Sequence, residues 1–333
     1  MKKIINGPDN VVEEMLHGLA LSDPDLIHSE GLGVISRKEK TVKVGLVTGG
    51  GSGHEPAHAG YVGKGMLDAA VAGNVFSSPD PDRILEGINQ ANSGKGVLLI
   101  IKNYSGDIMN FGMAADMAEL DGIEVDHVIV KDDVAVEDST FSTGRRGIAG
   151  TVFIHKIAGA KAEAGADLAE VKAAAEKAIA NVRSMGMSMS SCTIPAVGKP
   201  GFVIGEDEME VGMGIHGEPG IERTTIKSSA EIARILLDKI LDDYKASGIE
   251  TEGCEFAVMV NGLGGTPLME LYILNGDVQA YLAEKGIKVY RTFVGNYMTS
   301  LEMAGCSVTL LKLDDELKEL VDAPCKTPGL TIV

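Results

Sequence analysis

The sequence predicts an α/β protein of two α/β domains, each a central sheet covered by helices. Three observations carry that expectation. The chain has 333 residues, and at roughly 100 to 200 residues per domain that length points to two domains. Short β-branched runs alternate with helical patterns, and continuous apolar strands separated by helices form largely parallel sheets covered on both faces. A run of small residues, "SMGMSMSS" (Ser184 to Ser191), interrupts the pattern and predicts a flexible boundary between residues 1–185 and 186–333.

In the first part the predicted strands are "VKVGLV" (Val42 to Val47), "GVLLIIKNY" (Gly96 to Tyr104) and "VDHVIV" (Val125 to Val130), with helix-forming "FGMAADMAEL" (Phe111 to Leu120) between the last two. From Asp167 to Val182, Leu168, Val171, Ala175, Ala178, Ile179 and Val182 recur at spacings of three and four, and Asp167 with Glu170 forms a capping box. The second part opens with a helix near Ser229 to Ala246, with Ile232, Ile235, Leu236 and Ile240 on one face. The strands "CEFAVMVNG" and "IKVYRTFVG" then flank a helix around Pro267 to Lys285.

Composition excludes several classes. The 44% hydrophobic and 23% charged content belong to a globular chain, and 48 acidic against 30 basic side chains give a net charge of −18. Such a chain is repelled by nucleic acid and by anionic membranes. Cys192, Cys254, Cys306 and Cys325 form no C-x-x-C pair, so neither a zinc knuckle nor a disulfide framework is expected. The start, "MKKIINGPDN", meets polar residues before a signal-peptide core can form, and no later apolar run reaches the ~20 residues of a membrane span. The expected address is cytoplasmic.

In such sheets ligands bind where strands end at their carboxyl side. Two unusual stretches follow strands there, "TGGGSGHEPAHAG" (Thr48 to Gly60) and "NYSGD" (Asn103 to Asp107). The first contains H-E-x-x-H, which binds zinc when a helix puts both histidines on one face. Here Gly53 precedes the first histidine and Pro56 separates the two. A helix starting at about Pro56 would leave His54 in the loop, put His58 on the helix behind the site, and supply no third ligand. In this stretch neither G-x-x-x-x-G-K-[ST] nor G-x-G-x-x-G occurs, since Gly49 and Gly51 are followed by His54, so a nucleotide loop is not expected there. Glycines entering a helix still free backbone N–H groups to hold the oxygens of a small polar ligand.

A third stretch, "VGMGIHGEPGIE" (Val211 to Glu222), sets His216 among Gly214, Gly217 and Gly220. Flanking glycines permit close approach of a ligand to the ring. His54 and His216, in glycine-rich loops that echo each other as "HEP" and "HGEP", are therefore the candidate functional histidines. His17, His28, His127 and His155 lack such a setting and read as surface or core side chains.

Eight long motifs occur in order from one end of the chain to the other: "GGGSGHEP", "GMLDAAVAGNVFSSP", "LLIIKNYSGDIMNF", "DDVAV", "GRRGIAGT", "GIHGEPGI", "GGTPLMELY" and "TSLEMAGCSVTLLKLDD". Together they resemble the K subunit of dihydroxyacetone kinase. The resemblance implies that His216 forms a covalent hemiaminal with the carbonyl carbon of dihydroxyacetone, and that His54 and Asp107 act on its hydroxyl. It places Gly51, Ser52, Gly53 and Lys102 in the ketone site. From below, the chemistry is coherent: a neutral imidazole is nucleophilic, covalent capture holds a ketone too small to be held tightly by contacts, and glycerol, lacking a carbonyl, is excluded.

By the same resemblance, this chain carries no cofactor of its own. A separate L subunit would bring ADP and Mg²⁺, recharged by a phosphoprotein of the phosphoenolpyruvate-dependent phosphotransferase system, and the K subunit would be a homodimer. Single-chain ATP-dependent members carry a further nucleotide domain, and with the chain stopping at Val333 a stand-alone K subunit is expected. Arg145 and Arg146 of "GRRGIAG" are candidates near the partner interface or, alternatively, structural ion-pair residues. Two rival readings remain: a non-catalytic, dihydroxyacetone-sensing transcriptional coactivator, which retention of His54 and Asp107 counts against, and the K component of an ATP-dependent kinase.

Overall fold

The computed structural model describes residues 2–137 and 142–333. Helix α1 (Val11–Ser22) leads into a six-stranded sheet formed by β1 (Leu26–Ser29), β2 (Val34–Arg37), β3 (Gly45–Ser52), β4 (Ala69–Val75), β5 (Val97–Lys102) and β6 (Val125–Val130). Its order is β1-β2-β4-β3-β5-β6, with the last four strands parallel and β1 and β2 antiparallel at one edge. Helices α2 (Pro81–Ala91) and α3 (Ser105–Leu120) are the crossovers on one face. Helices α4 (Thr151–Glu163) and α5 (Leu168–Asn181) cover the other.

The second sheet takes β7 (Val182–Ser188), β8 (Glu208–Val211), β9 (Glu222–Thr225), β10 (Glu255–Gly262), β11 (Lys288–Gly295) and β12 (Gly305–Lys312) in the order β11-β10-β12-β7-β8-β9. Among the described residues, β10 and β11 are its one parallel pair of neighbours, and the other neighbouring strands pair antiparallel. Helices α6 (Ser229–Ala246) and α7 (Leu268–Glu284) cover its outer face through Phe256, Val258 and Val260 of β10. The alternating Ala257 and Met259 face inward to the core that also holds α4, α5 and α8 (Asp315–Asp322). This alternation follows from the two-residue period of a strand. Phe153 of α4 meets Phe293 of β11 with ring centroids 5.6 Å apart, so α4 is packed between the two sheets. A small hairpin, β13 (Cys325–Lys326) and β14 (Thr331–Ile332), closes the chain. No helix among the described residues is long and apolar enough to cross a membrane.

Three local expectations are corrected. "SMGMSMSS" is not a flexible boundary: most of it belongs to β7, whose Met185 and Met187 are buried in the second core. The strand at Val42 to Val47 starts later and continues through the glycines to Ser52, pairing Gly49, Gly50 and Gly51 with Val71, Ala72 and Gly73 of β4. No α-helix starts at Pro56; His54 bridges to Ala57, and one 3₁₀ turn follows at Ala59–Tyr61. The capping box at Asp167 and Glu170 is present, with Asp167 accepting from the Glu170 N–H at 2.9 Å.

Candidate active site

The carboxyl ends of β3 and β5 open on a cavity of about 400 Å³ lined by Gly51, Phe76, Ser78, Tyr104, Asp107, Ile194 and His216. Three stretches distant in sequence meet here because the loop between β8 and β9 reaches back across the first sheet. Buried Arg146 holds that loop, donating from Nη2 to the Gly212 carbonyl at 2.7 Å and pairing with Asp133. Gly51 permits the crowding at the end of β3: a Cβ there would lie 2.5 Å from the Ser77 nitrogen. Phe76, held at φ 59, stacks on His54 with centroids 5.1 Å apart.

His54 is wholly buried. Its Nδ1 lies 2.7 Å from the Thr299 carbonyl oxygen. A carbonyl only accepts, so Nδ1 carries the proton and Nε2, which has no hydrogen-bond partner among the described residues, keeps its lone pair. Burial, then the neighbouring Lys102, holds the ring's pKa well below its usual value. His54 is thus a neutral base. It contacts the cavity through His216, edge to face with centroids 4.8 Å apart.

Asp107 sits in the first turn of α3, where the helix dipole favours an anion, and accepts a short hydrogen bond from the Ser78 hydroxyl. Burial raises its pKa against the opposing pull of Lys102 and Ser78. Lys102, fully buried, has no hydrogen-bond partner for Nζ among the described residues and lies 5.2 Å from the Tyr104 ring centre. Burial lowers its pKa while Asp107 and Glu218 oppose. The two groups converge over Gly50, where a Cβ would lie 3.3 Å from Lys102 Nζ and 3.5 Å from Asp107 Oδ2.

His216 packs edge to face against Tyr104 and Phe76, with centroids at 4.6 and 5.3 Å. Its Nδ1 is 2.9 Å from Oε1 of Glu218, and its main-chain N–H donates to Oε2 at 2.8 Å. Glu218 is buried, which raises its pKa, but the nearby His216 and Arg146 outweigh burial and hold it down to about 2.

The structure brings Gly51, Asp107 and His216 to the cavity wall, with His54 and Lys102 directly behind. Ser52 and Gly53 do not line it: the Ser52 hydroxyl donates to the Gly73 carbonyl at 2.7 Å, and the Gly53 N–H donates to Glu55 at 2.9 Å. His58 sits on no helix and pairs with His155, Nδ1 to Nε2 at 3.1 Å, in the core behind β3. Both arginine candidates form ion pairs, Arg146 with Asp133 at zero exposure and Arg145 with Asp243. Phe76, Ser78, Tyr104, Ile194, Glu218 and Thr299 were not singled out from sequence. All but Ile194 lie within the motifs quoted above, and Glu218 carried a chemical signal as well, as a carboxylate two residues after a glycine-flanked histidine.

A buried neutral imidazole, a second imidazole, a carboxylate at a helix N-terminus and a buried lysine, gathered at one small cavity, can carry out acid–base chemistry on a small polar molecule. The chain belongs to the Dak1 domain family, which it matches over residues 17–329. It is 58% identical over 318 residues to the dihydroxyacetone-binding subunit of the PTS-dependent dihydroxyacetone kinase 1 of Listeria innocua, covering 95% of both chains. The corresponding subunit of Lactococcus lactis is 51% identical, covering 95% of this chain and 94% of that one. Among solved structures, the dihydroxyacetone kinase operon co-activator DhaQ superposes with a TM-score of 0.89 at 38% identity, covering 97% and 98% of the two chains. The dihydroxyacetone kinase of C. freundii gives 0.86 at 34% identity, covering 99% of this chain and 60% of that one.

Proposed function

We propose that this chain is the dihydroxyacetone-binding subunit of a phosphotransferase-system-dependent dihydroxyacetone kinase. The observation that carries this reading is the meeting of His216, His54 and Asp107, drawn from three separate motifs, around one cavity. The His216 ring adds to the ketone carbonyl as a hemiaminal. His54 Nε2 then takes the proton of the terminal hydroxyl, and Asp107, fixed by Ser78, orients that hydroxyl or shares its proton. The remaining demand of phosphoryl transfer is positioning and charge stabilisation, toward which Lys102 offers a cation. ADP and Mg²⁺ belong, on this reading, to a separate L subunit recharged by a phosphotransferase-system phosphoprotein. A cytoplasmic homodimer accompanies the reading through the family resemblance.

The likeness to the co-activator favours a second reading, ketone sensing without catalysis. The higher identity to kinase subunits and the presence of His54 and Asp107 weigh against it. A phosphorylation assay decides. With extract fractions supplying partner proteins, dihydroxyacetone should be phosphorylated from phosphoenolpyruvate and not from ATP. Turnover with ATP alone would favour the ATP-dependent reading, and no turnover with either donor the co-activator.

A further inference from the structure

We propose that Glu218 is a positioning residue that makes His216 nucleophilic, holding the ring in its Nδ1–H tautomer and leaving the Nε2 lone pair for the ketone. The inference rests on His216 being the nucleophile. Its basis is geometric. The Glu218 carboxylate is buried, and its two oxygens face two groups of one residue: Oε1 the ring Nδ1 at 2.9 Å, Oε2 the main-chain N–H at 2.8 Å. It can turn back beneath the loop because residue 214 is glycine; a Cβ there would lie 2.1 Å from Oε2. The Gly214 N–H closes the turn onto the Glu218 carbonyl at 3.0 Å.

An ionised carboxylate only accepts hydrogen bonds, so both facing groups must donate. The proton therefore sits on Nδ1. Addition then balances as follows. The Nε2 lone pair forms the N–C bond while the carbonyl π pair moves to oxygen, which takes up one proton. The ring, with carbon on Nε2 and hydrogen on Nδ1, is cationic until the Nδ1 proton leaves. The net product contains the whole ketone. Glu218 lies against the atom that shares that charge. His54 is held in the same tautomer by a neutral carbonyl, which fixes a base without placing an anion beside it.

Glutamine at 218 would break the arrangement without changing its size. Its amide must turn an NH₂ toward either the main-chain N–H or Nδ1, and only the ring can respond by moving its proton to Nε2. The test uses the full chain with ¹⁵N-labelled histidine and dihydroxyacetone as the probe. Nitrogen shifts should place the wild-type His216 proton on Nδ1. Glu218→Gln should move it to Nε2 and lower adduct occupancy in intact mass spectra by about ten-fold or more, the direction expected of a wrong tautomer. Glu218→Asp, still a pure acceptor, should keep the Nδ1 proton and recover part of the adduct, which a merely structural role would not bring about. A wild-type proton on Nε2, or full adduct in a folded Glu218→Gln variant, would overturn the proposal. If that variant does not fold, the wild-type shifts and the Asp variant still decide. Absence of any adduct in the wild type would instead sink the nucleophile reading, while the tautomer measurement would still judge Glu218.

Discussion

His54 and His216 lie in different halves of the sequence, yet their rings meet edge to face with centroids 4.8 Å apart. Each is held through Nδ1, by the Thr299 carbonyl in one case and by Glu218 in the other. One site thus holds two imidazoles in settings of different charge, which suits one to proton transfer and the other to covalent capture.

If His54 and Asp107 handle the hydroxyl proton, removing either leaves capture intact and slows transfer. His54→Asn and Asp107→Asn should lower turnover in the reconstituted system by about 10² or more, the scale of a lost acid–base group. Ketone binding, read by calorimetry or by adduct mass, should persist in both. Near-normal turnover in either would assign the proton to another group.

Buried neutral histidines should make stability fall in acid. His155 is held down to about 3 by burial and then by Lys102, and burial likewise lowers His54 and His58. Between about 3 and the usual 6.5, the unfolded His155 binds a proton and the folded one does not. Its contribution is therefore complete above pH ~6.5 and is lost progressively below it, at about 1.4 kcal/mol per pH unit. Urea unfolding from pH 4.5 to 6 should show His155→Leu with a slope shallower by that amount. An unchanged slope would mean the ring is protonated in place.

The two arginines of "GRRGIAG" should separate cleanly. Arg146→Ala leaves Asp133 buried without its cation and should cost about 3–5 kcal/mol. Arg145, part-exposed beside Asp243, which Arg183 also engages, should cost about 1 kcal/mol or less when replaced by alanine. Denaturant titration of both variants checks the contrast, and equal losses would contradict it.

Glycine replacements offer a similar pair. Gly51→Ala drives a Cβ into the backbone of Phe76 and Ser77 and should disrupt the site along with stability. Gly112→Ala, exposed in α3 with nothing within 4 Å of the added carbon, should stabilise by up to about 1 kcal/mol. Thermal unfolding of the two should move in opposite directions.

Much of the fold was legible where local signals and tertiary demands agree. The α5 cap at Asp167 and the bounds of α6 follow from capping chemistry and a single apolar face. Helix α4 gave no such signal: every residue from Thr151 to Ala160 is buried, so the one-sided pattern of a surface helix is missing. The glycines of β3 looked like loop because glycine weakens a strand, yet they are there to admit β4 and Phe76. Within the site, His54, Asp107 and His216 stood out by their glycine setting or their motifs. Phe76 and Thr299 sit inside long motifs whose chemistry does not point to them, Ile194 sits in none, and all three reach the site only through tertiary packing.

Covalent capture of the ketone by His216 is read out by intact mass spectrometry of the protein incubated with dihydroxyacetone. A ring nitrogen adds the whole substrate and cannot continue to an imine, whereas the buried Lys102 would form a Schiff base by losing water. Capture by His216 should give a shift equal to the entire ketone, resistant to borohydride trapping and abolished in His216→Ala, with glycerol giving no shift. A shift short by one water and trapped by borohydride on Lys102, or one that survives in His216→Ala, would contradict it.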